Sequence, residues 1–301
     1  MPKILITGAS GYLGSTLLLH APGDWDVVGF DLSLPNVKLP QNFRFIKGDI
    51  TNDLPSTLLN GVDTVLHLAA VKGSDICRED PVKTFEVNVV GTRKLLKAAL
   101  RTNVRLIFAS TYWVYGDSTD LPFTEETLTK PSEIYGLSKA TSEIEIAESG
   151  IDYVILRFAN IFGMGSGIRP EEVIFNFIKS AFEGRPIVLH NGGSQRLDFI
   201  DIEDAYKCVW RIINDKRISG CILNVGSGRP RSIASVARVV RDEFERLTGR
   251  TVTINTLPES EPVHDRWVSI KKMEEKLGEL RLKPFEQSIR SYVGDYQRRF
   301  Q

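Results

Sequence analysis

Lys3-Ile4-Leu5-Ile6-Thr7-Gly8-Ala9-Ser10-Gly11-Tyr12-Leu13-Gly14-Ser15-Thr16-Leu17-Leu18-Leu19 is the stretch on which the fold turns. Its aliphatic run Lys3–Thr7 reads as a strand buried on both faces, and Tyr12–Leu19 has helical spacing. Between them, glycines at 8, 11 and 14 give G-x-x-G-x-x-G at a strand-to-helix turn. Absent side chains let the backbone turn tightly and approach a pyrophosphate, to which the helix amino terminus presents N–H groups and a positive dipole end. Tight turns need glycine anyway, so context decides: a strand precedes, a helix follows, and Asp31 closes the next strand. An acid there binds adenosine ribose hydroxyls, and no arginine follows closely to receive a 2′-phosphate, which favours NAD over NADP. The candidate cofactor contacts at this end are Gly8, Gly11, Tyr12, Leu13, Gly14 and Asp31.

Working outward, short aliphatic runs alternate with helical patterns. Asp26–Phe30, Arg44–Ile46, Thr64–Leu68, Arg105–Ala109 and Tyr153–Leu156 read as further strands, and Val82–Leu100 and Tyr135–Glu148 as helices. That alternation predicts an α/β fold with a doubly wound parallel sheet and right-handed crossovers, of Rossmann type. Later come helical patterns at Glu171–Glu183, Asp201–Ile213, Ile233–Thr248 and Pro284–Arg298, with strands near Ile187–Leu189 and Cys221–Val225. The expected division is a cofactor-binding domain over residues 1–160, to which segments near 196–226 return, and a smaller lobe for substrate over 161–301. Repeats and low-complexity segments are absent from the sequence.

Composition narrows the class. The 301 residues are 42% hydrophobic, enough for a large core, and 38 basic side chains balance 38 acidic ones with no basic run. A nucleic-acid footprint needs basic clustering, so that partner is not expected. Three cysteines, Cys77, Cys208 and Cys221, lie too far apart in sequence for a disulfide framework or a thiol-rich metal site, which fits a reducing cytoplasm. The amino terminus goes straight into a strand, and no apolar stretch reaches membrane-spanning length. The expectation is a cytoplasmic protein with no metal and no membrane partner.

Several further motifs accompany the glycine turn: His67-Leu68-Ala69-Ala70, Asn88-Val89-Val90-Gly91-Thr92, Val114-Tyr115-Gly116 and Tyr135-x-x-x-Lys139. They continue with Arg157-Phe158-Ala159-Asn160, Arg196-x-Asp198-Phe199-Ile200 and Asn224-Val225-Gly226-Ser227-Gly228. In this order and spacing the chain resembles the extended short-chain dehydrogenases, the NAD-dependent epimerase/dehydratase family, and within it the UDP-glucose 4-epimerases. The resemblance spans nearly the whole chain. It implies that Asp49 and Ile50 hold the adenine, that Leu68, Ala69 and Ala70 line the path to the nicotinamide, and that Asn88 organises the strand ends. Phe158 belongs to the same implied cofactor set. Lys72, three residues after Ala69, is either a cofactor contact like one in those epimerases or a solvated loop lysine. His67, at the end of an apolar run, is assigned to the sheet interior rather than to base catalysis.

Tyr135 and Lys139 are four apart near the start of a helix and therefore share a face. A phenol with a pKa near ~10 is a poor base at neutral pH. A nearby ammonium and the positive helix end stabilise phenolate and lower that pKa. Aligning Thr111-Tyr112-Trp113-Val114-Tyr115-Gly116 with the family's segment gives Thr111 the hydrogen bond to the reacting oxygen, with Ser110 as neighbouring support. The resemblance thus implies Thr111, Tyr135 and Lys139 as the catalytic set, Tyr135 and Lys139 also touching the cofactor.

The related dehydratases carry an Asp-Glu pair directly after the catalytic Thr, to work an elimination. Here those positions hold Tyr112 and Trp113, which demotes dehydration. Asn160 and Arg196 match positions that hold a substrate diphosphate, for which an arginine fork is suited. Many epimerases add a second arginine in an Arg-x-Gly-Asp context, where this chain reads Glu259-Ser260-Glu261-Pro262, leaving Arg266 or Arg231 as the substitute. The expected activity is epimerisation of a nucleoside-diphosphate sugar, at C4 and with a UDP-sugar favoured, by a homodimer using NAD. The alternatives are a keto-sugar reductase with the same residues and a non-catalytic dinucleotide-binding protein. The latter would usually have lost Tyr135 or Lys139.

Overall fold

The structure, a computed structural model, describes residues 2–36, 39, 43–55, 57–165, 172–258 and 263–301. Glu171, where a helix was expected to start, and the Glu259–Pro262 stretch lie outside the described residues. The first six strands are β1 (Lys3–Thr7), β2 (Asp26–Asp31), β3 (Arg44–Lys47), β4 (Thr64–His67), β5 (Arg105–Thr111) and β6 (Tyr153–Phe158). The chain then makes β7 (Asn160–Phe162), β8 (Ile187–Leu189), β9 (Arg196–Leu197), β10 (Phe199–Asp201), β11 (Cys221–Val225), β12 (Arg231–Ser232) and β13 (Ile254–Thr256). Seven strands form one sheet in the order β11-β6-β5-β4-β1-β2-β3, every pair parallel. Cys221–Val225 therefore sits at the edge of the main sheet, beside β6.

Parallel strands are buried on both faces, and alternation within each strand sorts the side chains. The helices, in chain order, are α1 (Tyr12–Leu19), α2 (Ser74–Glu79), α3 (Pro81–Phe85), α4 (Thr92–Ala99), α5 (Ile134–Ala147), α6 (Val173–Phe182), α7 (Ile202–Asn214), α8 (Ile233–Thr248), α9 (Lys271–Leu277) and α10 (Phe285–Phe300). Ile4, Ile6, Ile107, Val154 and Leu156 form one core with Leu17 and Leu18 of α1 and Val209, Ile212 and Ile213 of α7. Leu5, Val65, Leu106, Phe108 and Ile155 form the other with Leu95, Leu96 and Ala99 of α4 and Ile146 of α5. Met273 of α9 joins the first core, so residues beyond 226 also pack on the sheet. A separate core binds α6, α8 and α10 through Phe175, Phe182, Val240, Phe244, Ile289 and Tyr296.

The expected helix Val82–Leu100 is helical throughout Pro81–Ala99, but with a π-helical stretch, Glu86–Gly91, between α3 and α4. Gly91 there has so little room that a Cβ would lie 2.8 Å from Cγ2 of Ile50. The widened turn sends the Asn88 carbonyl to side chains, accepting from Thr92 Oγ1 at 2.6 Å and from Ser142 Oγ at 2.8 Å. The short helices α2 and α9 and the paired short strands β7–β10 and β9–β12 were not anticipated.

Candidate active site

Strand order reverses direction between β1 and β4, since the chain runs outward from β1 to β2 and β3 and, on the other side, from β4 to β5 and β6. The crevice beyond the carboxyl ends at that point is where doubly wound sheets bind ligands. The glycine turn fills its floor. Gly8 has φ +70°, and a Cβ on it would lie 2.6 Å from the Ala69 nitrogen; a Cβ on Gly14 would lie 2.2 Å from the Gly8 carbonyl oxygen. Backbone thus packs on backbone, bringing α1 directly onto the end of β1. The amides of Tyr12, Leu13 and Gly14 precede the helix's first backbone bond, Ser15 N–H to the Gly11 carbonyl at 2.9 Å, and face the anion position of a dinucleotide. Asp31, at the end of β2, accepts from Ser10 N–H at 2.8 Å and Leu32 N–H at 2.6 Å, which fixes its carboxylate beside the turn. Tyr12 reaches across to donate its hydroxyl to the Gly163 carbonyl at 2.8 Å. These features fit a dinucleotide: a cradle that any Cβ would fill, a helix amino terminus and a fixed carboxylate.

Asp49 accepts from both the N–H and the hydroxyl of Thr51 at 2.8 Å, and the Thr51 backbone hydrogen bond holds its carboxyl below the usual range. Its neighbour Ile50 is buried. Beyond β4, Leu68 N–H donates to the Thr7 carbonyl at 3.0 Å and Ala69 N–H to Thr7 Oγ1 at 3.3 Å. Asn88 then clamps the backbone of Val71 in both senses, Oδ1 accepting at 2.8 Å and Nδ2 donating at 2.9 Å. It also donates to Ser138 Oγ of α5 at 2.9 Å, tying the loop that carries Ala70 and Lys72 to the helix that carries Tyr135.

The corner that holds Thr111, Tyr135 and Lys139 is assembled by α5. Gly136 is needed because its Cβ would lie 2.6 Å from the Trp113 carbonyl oxygen, and Lys139 Nζ donates to the Ala109 carbonyl at 2.8 Å. Those two contacts hold α5 against the segment on either side of Thr111. Lys139 is buried and lies 4.6 Å from the Phe108 ring centre; burial pushes its ammonium down to about 7. One helical turn on, the buried Glu143 carboxylate accepts from Ser110 Oγ and from Arg157, whose Nη2 lies 2.6 Å from Oε2. Spacing i, i+4 from Lys139 was the sequence signal for Glu143, which went unread. Phe158, in register with Thr111, is buried in the sheet core.

The other nearby phenols are excluded as bases by their surroundings. Burial pushes the Tyr112 phenol far up and the Tyr115 phenol up to about 12. Tyr112 accepts from Asn160 Nδ2 at 2.6 Å, and Tyr115 donates to Asn224 Oδ1 at 2.7 Å. Tyr135, by contrast, is half-buried.

An open cleft of about 620 Å³ begins beside this corner, its lining including Trp113, Ile134, Leu137, Asn191, Gln195 and Arg266. Arg266 is buried; it donates through Nη2 to Asp117 and through Nε to the Gly116 carbonyl at 3.3 Å, and lies 4.3 Å from the Trp113 ring. Arg196 is exposed, bonds Asp265 through Nε at 2.8 Å and stacks on Trp267 at 4.9 Å. Arg231 bonds Glu286 at 3.1 Å, away from this cleft. Glu133, just before α5, accepts from Ser74 Oγ at the cleft's edge. Trp113, Asp117 and Glu133 were not singled out as site residues because their meeting depends on loops distant in sequence.

The family model described as NAD dependent epimerase/dehydratase family matches residues 4–226. The chain is 31% identical to an uncharacterised UDP-glucose epimerase, YtcB, of Bacillus subtilis, over 91% of this chain and 92% of that one. It is 29% identical to mouse dTDP-D-glucose 4,6-dehydratase, over 99% and 89%. Among solved structures, UDP-glucuronic acid 4-epimerase from Bacillus cereus, in complex with UDP-glucuronic acid and NAD, superposes with a TM-score of 0.87 at 27% identity, covering 98% of this chain and 99% of that one.

Proposed function

Since this chain belongs to the NAD dependent epimerase/dehydratase family, we propose that it is an NAD-dependent isomerase that inverts C4 of a nucleoside-diphosphate sugar, a UDP-sugar above all. One observation carries the choice within the family. The chain keeps Thr111, Tyr135 and Lys139, with Lys139 bonded to the strand that carries Thr111, while the two positions after Thr111 hold a buried Tyr112 and an Arg266-stacked Trp113. Redox chemistry is thereby equipped and elimination is not. Relatives whose names specify UDP-glucose epimerase and UDP-glucuronic acid 4-epimerase support the substrate class.

The glycine cradle and the first turn of α1 hold the pyrophosphate, Asp31 the adenosine ribose, Asp49 and Ile50 the adenine, and the Leu68–Lys72 loop the nicotinamide end. NAD, when bound, supplies the hydride acceptor and donor. Tyr135 Oη takes the proton from the sugar's C4 hydroxyl while Thr111 Oγ1 hydrogen-bonds the same oxygen as it becomes a carbonyl. The Lys139 ammonium stabilises the phenolate. After the 4-keto-sugar turns over in the cleft, Tyr135 returns the proton and the opposite epimer results. Asn160, Arg196 and Arg266 would hold the substrate diphosphate; of the three Arg266 lines the cleft, and it is already engaged by Asp117. In this reading the protein works as a cytoplasmic homodimer; its three cysteines are free, and no helix among the described residues is long and apolar enough to cross a membrane.

Purified protein supplied with UDP-glucose or UDP-galactose and no free NAD(H) is expected to approach a fixed epimer ratio, followed by NMR. Tyr135→Phe should lower that rate by roughly 10²–10⁴-fold while bound dinucleotide persists. Turnover seen only with stoichiometric NAD(P)H consumption on a keto-sugar would establish a reductase instead.

A further inference from the structure

The turn that follows the proposed catalytic threonine, Tyr112–Tyr115, buries Tyr112, Val114 and Tyr115 completely or nearly so. Trp113 alone of the four opens to the cleft. Its backbone is fixed by Gly136, the residue after Tyr135, packing on its carbonyl. Its ring is fixed by the Arg266 guanidinium at 4.3 Å, and Arg266 is in turn held by Asp117 and the Gly116 carbonyl. A large aromatic ring, held by Arg266 and open to the cleft, is thus carried two residues after Thr111 on a turn that packs against the residue after Tyr135.

We propose that Trp113 is the wall on which the sugar ring packs in this site, meeting a pyranose by its C–H faces. This rests on the nucleotide-sugar reading above. A flat indole with a single N–H donor makes contact without specifying the pattern of hydroxyls opposite it. That property suits an epimerase. The keto-sugar must offer its two faces in succession, and a wall of hydrogen-bonding groups would hold one face and be left unpaired by the other. Arg266 is the positioning residue: with its guanidinium spent on Asp117, Gly116 and the indole, it holds the platform.

The test measures binding of UDP, UDP-glucose and UDP-galactose by calorimetry to cofactor-loaded wild type, W113F, W113A and W113L. Wild type should bind all three. W113A should weaken both UDP-sugars by about tenfold, with UDP unchanged and bound dinucleotide retained, while W113F stays within about threefold. W113L, which keeps apolar bulk without the flat face, is read in the same way should W113A fail to fold. If UDP and the UDP-sugars weaken together, or none weakens, Trp113 does not face the sugar and the proposal is overturned. Wild type that binds no UDP-sugar would remove the nucleotide-sugar reading itself, before any variant is compared.

Discussion

His67 is wholly buried between two threonines, and its partners determine its chemistry. Thr92 Oγ1 donates to the Asn88 carbonyl, so it must accept from His67 Nε2–H at 2.9 Å; Nδ1 is then the acceptor of the Thr7 hydroxyl at 2.6 Å. Both ring nitrogens are satisfied by a neutral imidazole, and burial pushes its pKa down to about 3, with the Lys139 charge adding to the effect. Protonation therefore favours the unfolded chain. Stability from His67 is present above its ordinary value near ~6.5 and is lost as pH falls from there toward 3. At pH 5 the loss relative to neutral pH should be about 2 kcal/mol. Urea titrations at pH 7 and pH 5 measure it. His67→Gln should lower stability at pH 7 yet flatten the decline between them; an unchanged pH dependence in that variant would assign the loss to other groups. The interior role of His67 was legible from its apolar neighbours, whereas its threonine partners, 25 and 60 positions away, were not.

At the scale of elements, the contact between the β1–α1 turn and α1 itself is the tightest point of the cofactor end. A Cβ at Gly14 meets backbone, not a yielding side chain, so α1 would have to shift away from β1. Gly14→Ala should cost about 1–3 kcal/mol and displace the first-turn amides from the pyrophosphate. Gly23→Ala, where a Cβ meets nothing within 4 Å, is the control. Thermal melts and measurement of co-purified dinucleotide should show Gly14→Ala lower in both and Gly23→Ala close to wild type; equal behaviour would mean that the turn does not depend on the close approach. The β1–turn–α1 unit was legible because its strand is an unbroken aliphatic run and its glycines mark the turn. The helical run Val82–Leu100 was legible because apolar residues persist through Glu86–Gly91, whereas the wider π turn there, which rotates the face they present, was not. The six-residue α2 is too short to show a period, and the two-residue strands β9 and β12 are defined by pairing with each other across distant sequence. Likewise Tyr135 and Lys139 could be paired from spacing, but the Trp113–Arg266–Asp117 unit joins residues about 150 positions apart.

On the molecule as a whole, the α3–α5 side carries apolar side chains that the single chain leaves in solvent. Val82 is 79% exposed and Ile144 is 64% exposed, with Leu137 and Val90 partly so. Their helices otherwise pack well: Leu95, Leu96 and Ala99 of α4 and Ile146 of α5 all face the sheet core. The outward residues are thus a second apolar stripe on elements whose inward stripe is already used. A two-fold axis beside α5 would set this surface against its own copy, the isologous arrangement of most small homodimers. Burying each large aliphatic side chain contributes about 1.5–3 kcal/mol, and the symmetry counts each residue twice. Light scattering at micromolar concentration is therefore expected to give twice the 33.7 kDa chain mass. Ile144→Asp would place two carboxylates in an apolar interface and should weaken dimerisation by about a hundredfold or more. Because α5 also carries Tyr135 and Lys139, separation of the subunits should free one flank of the catalytic helix and reduce turnover with it. A wild-type monomer, or an Ile144→Asp variant that dimerises unchanged, would show that this stripe is not the subunit interface.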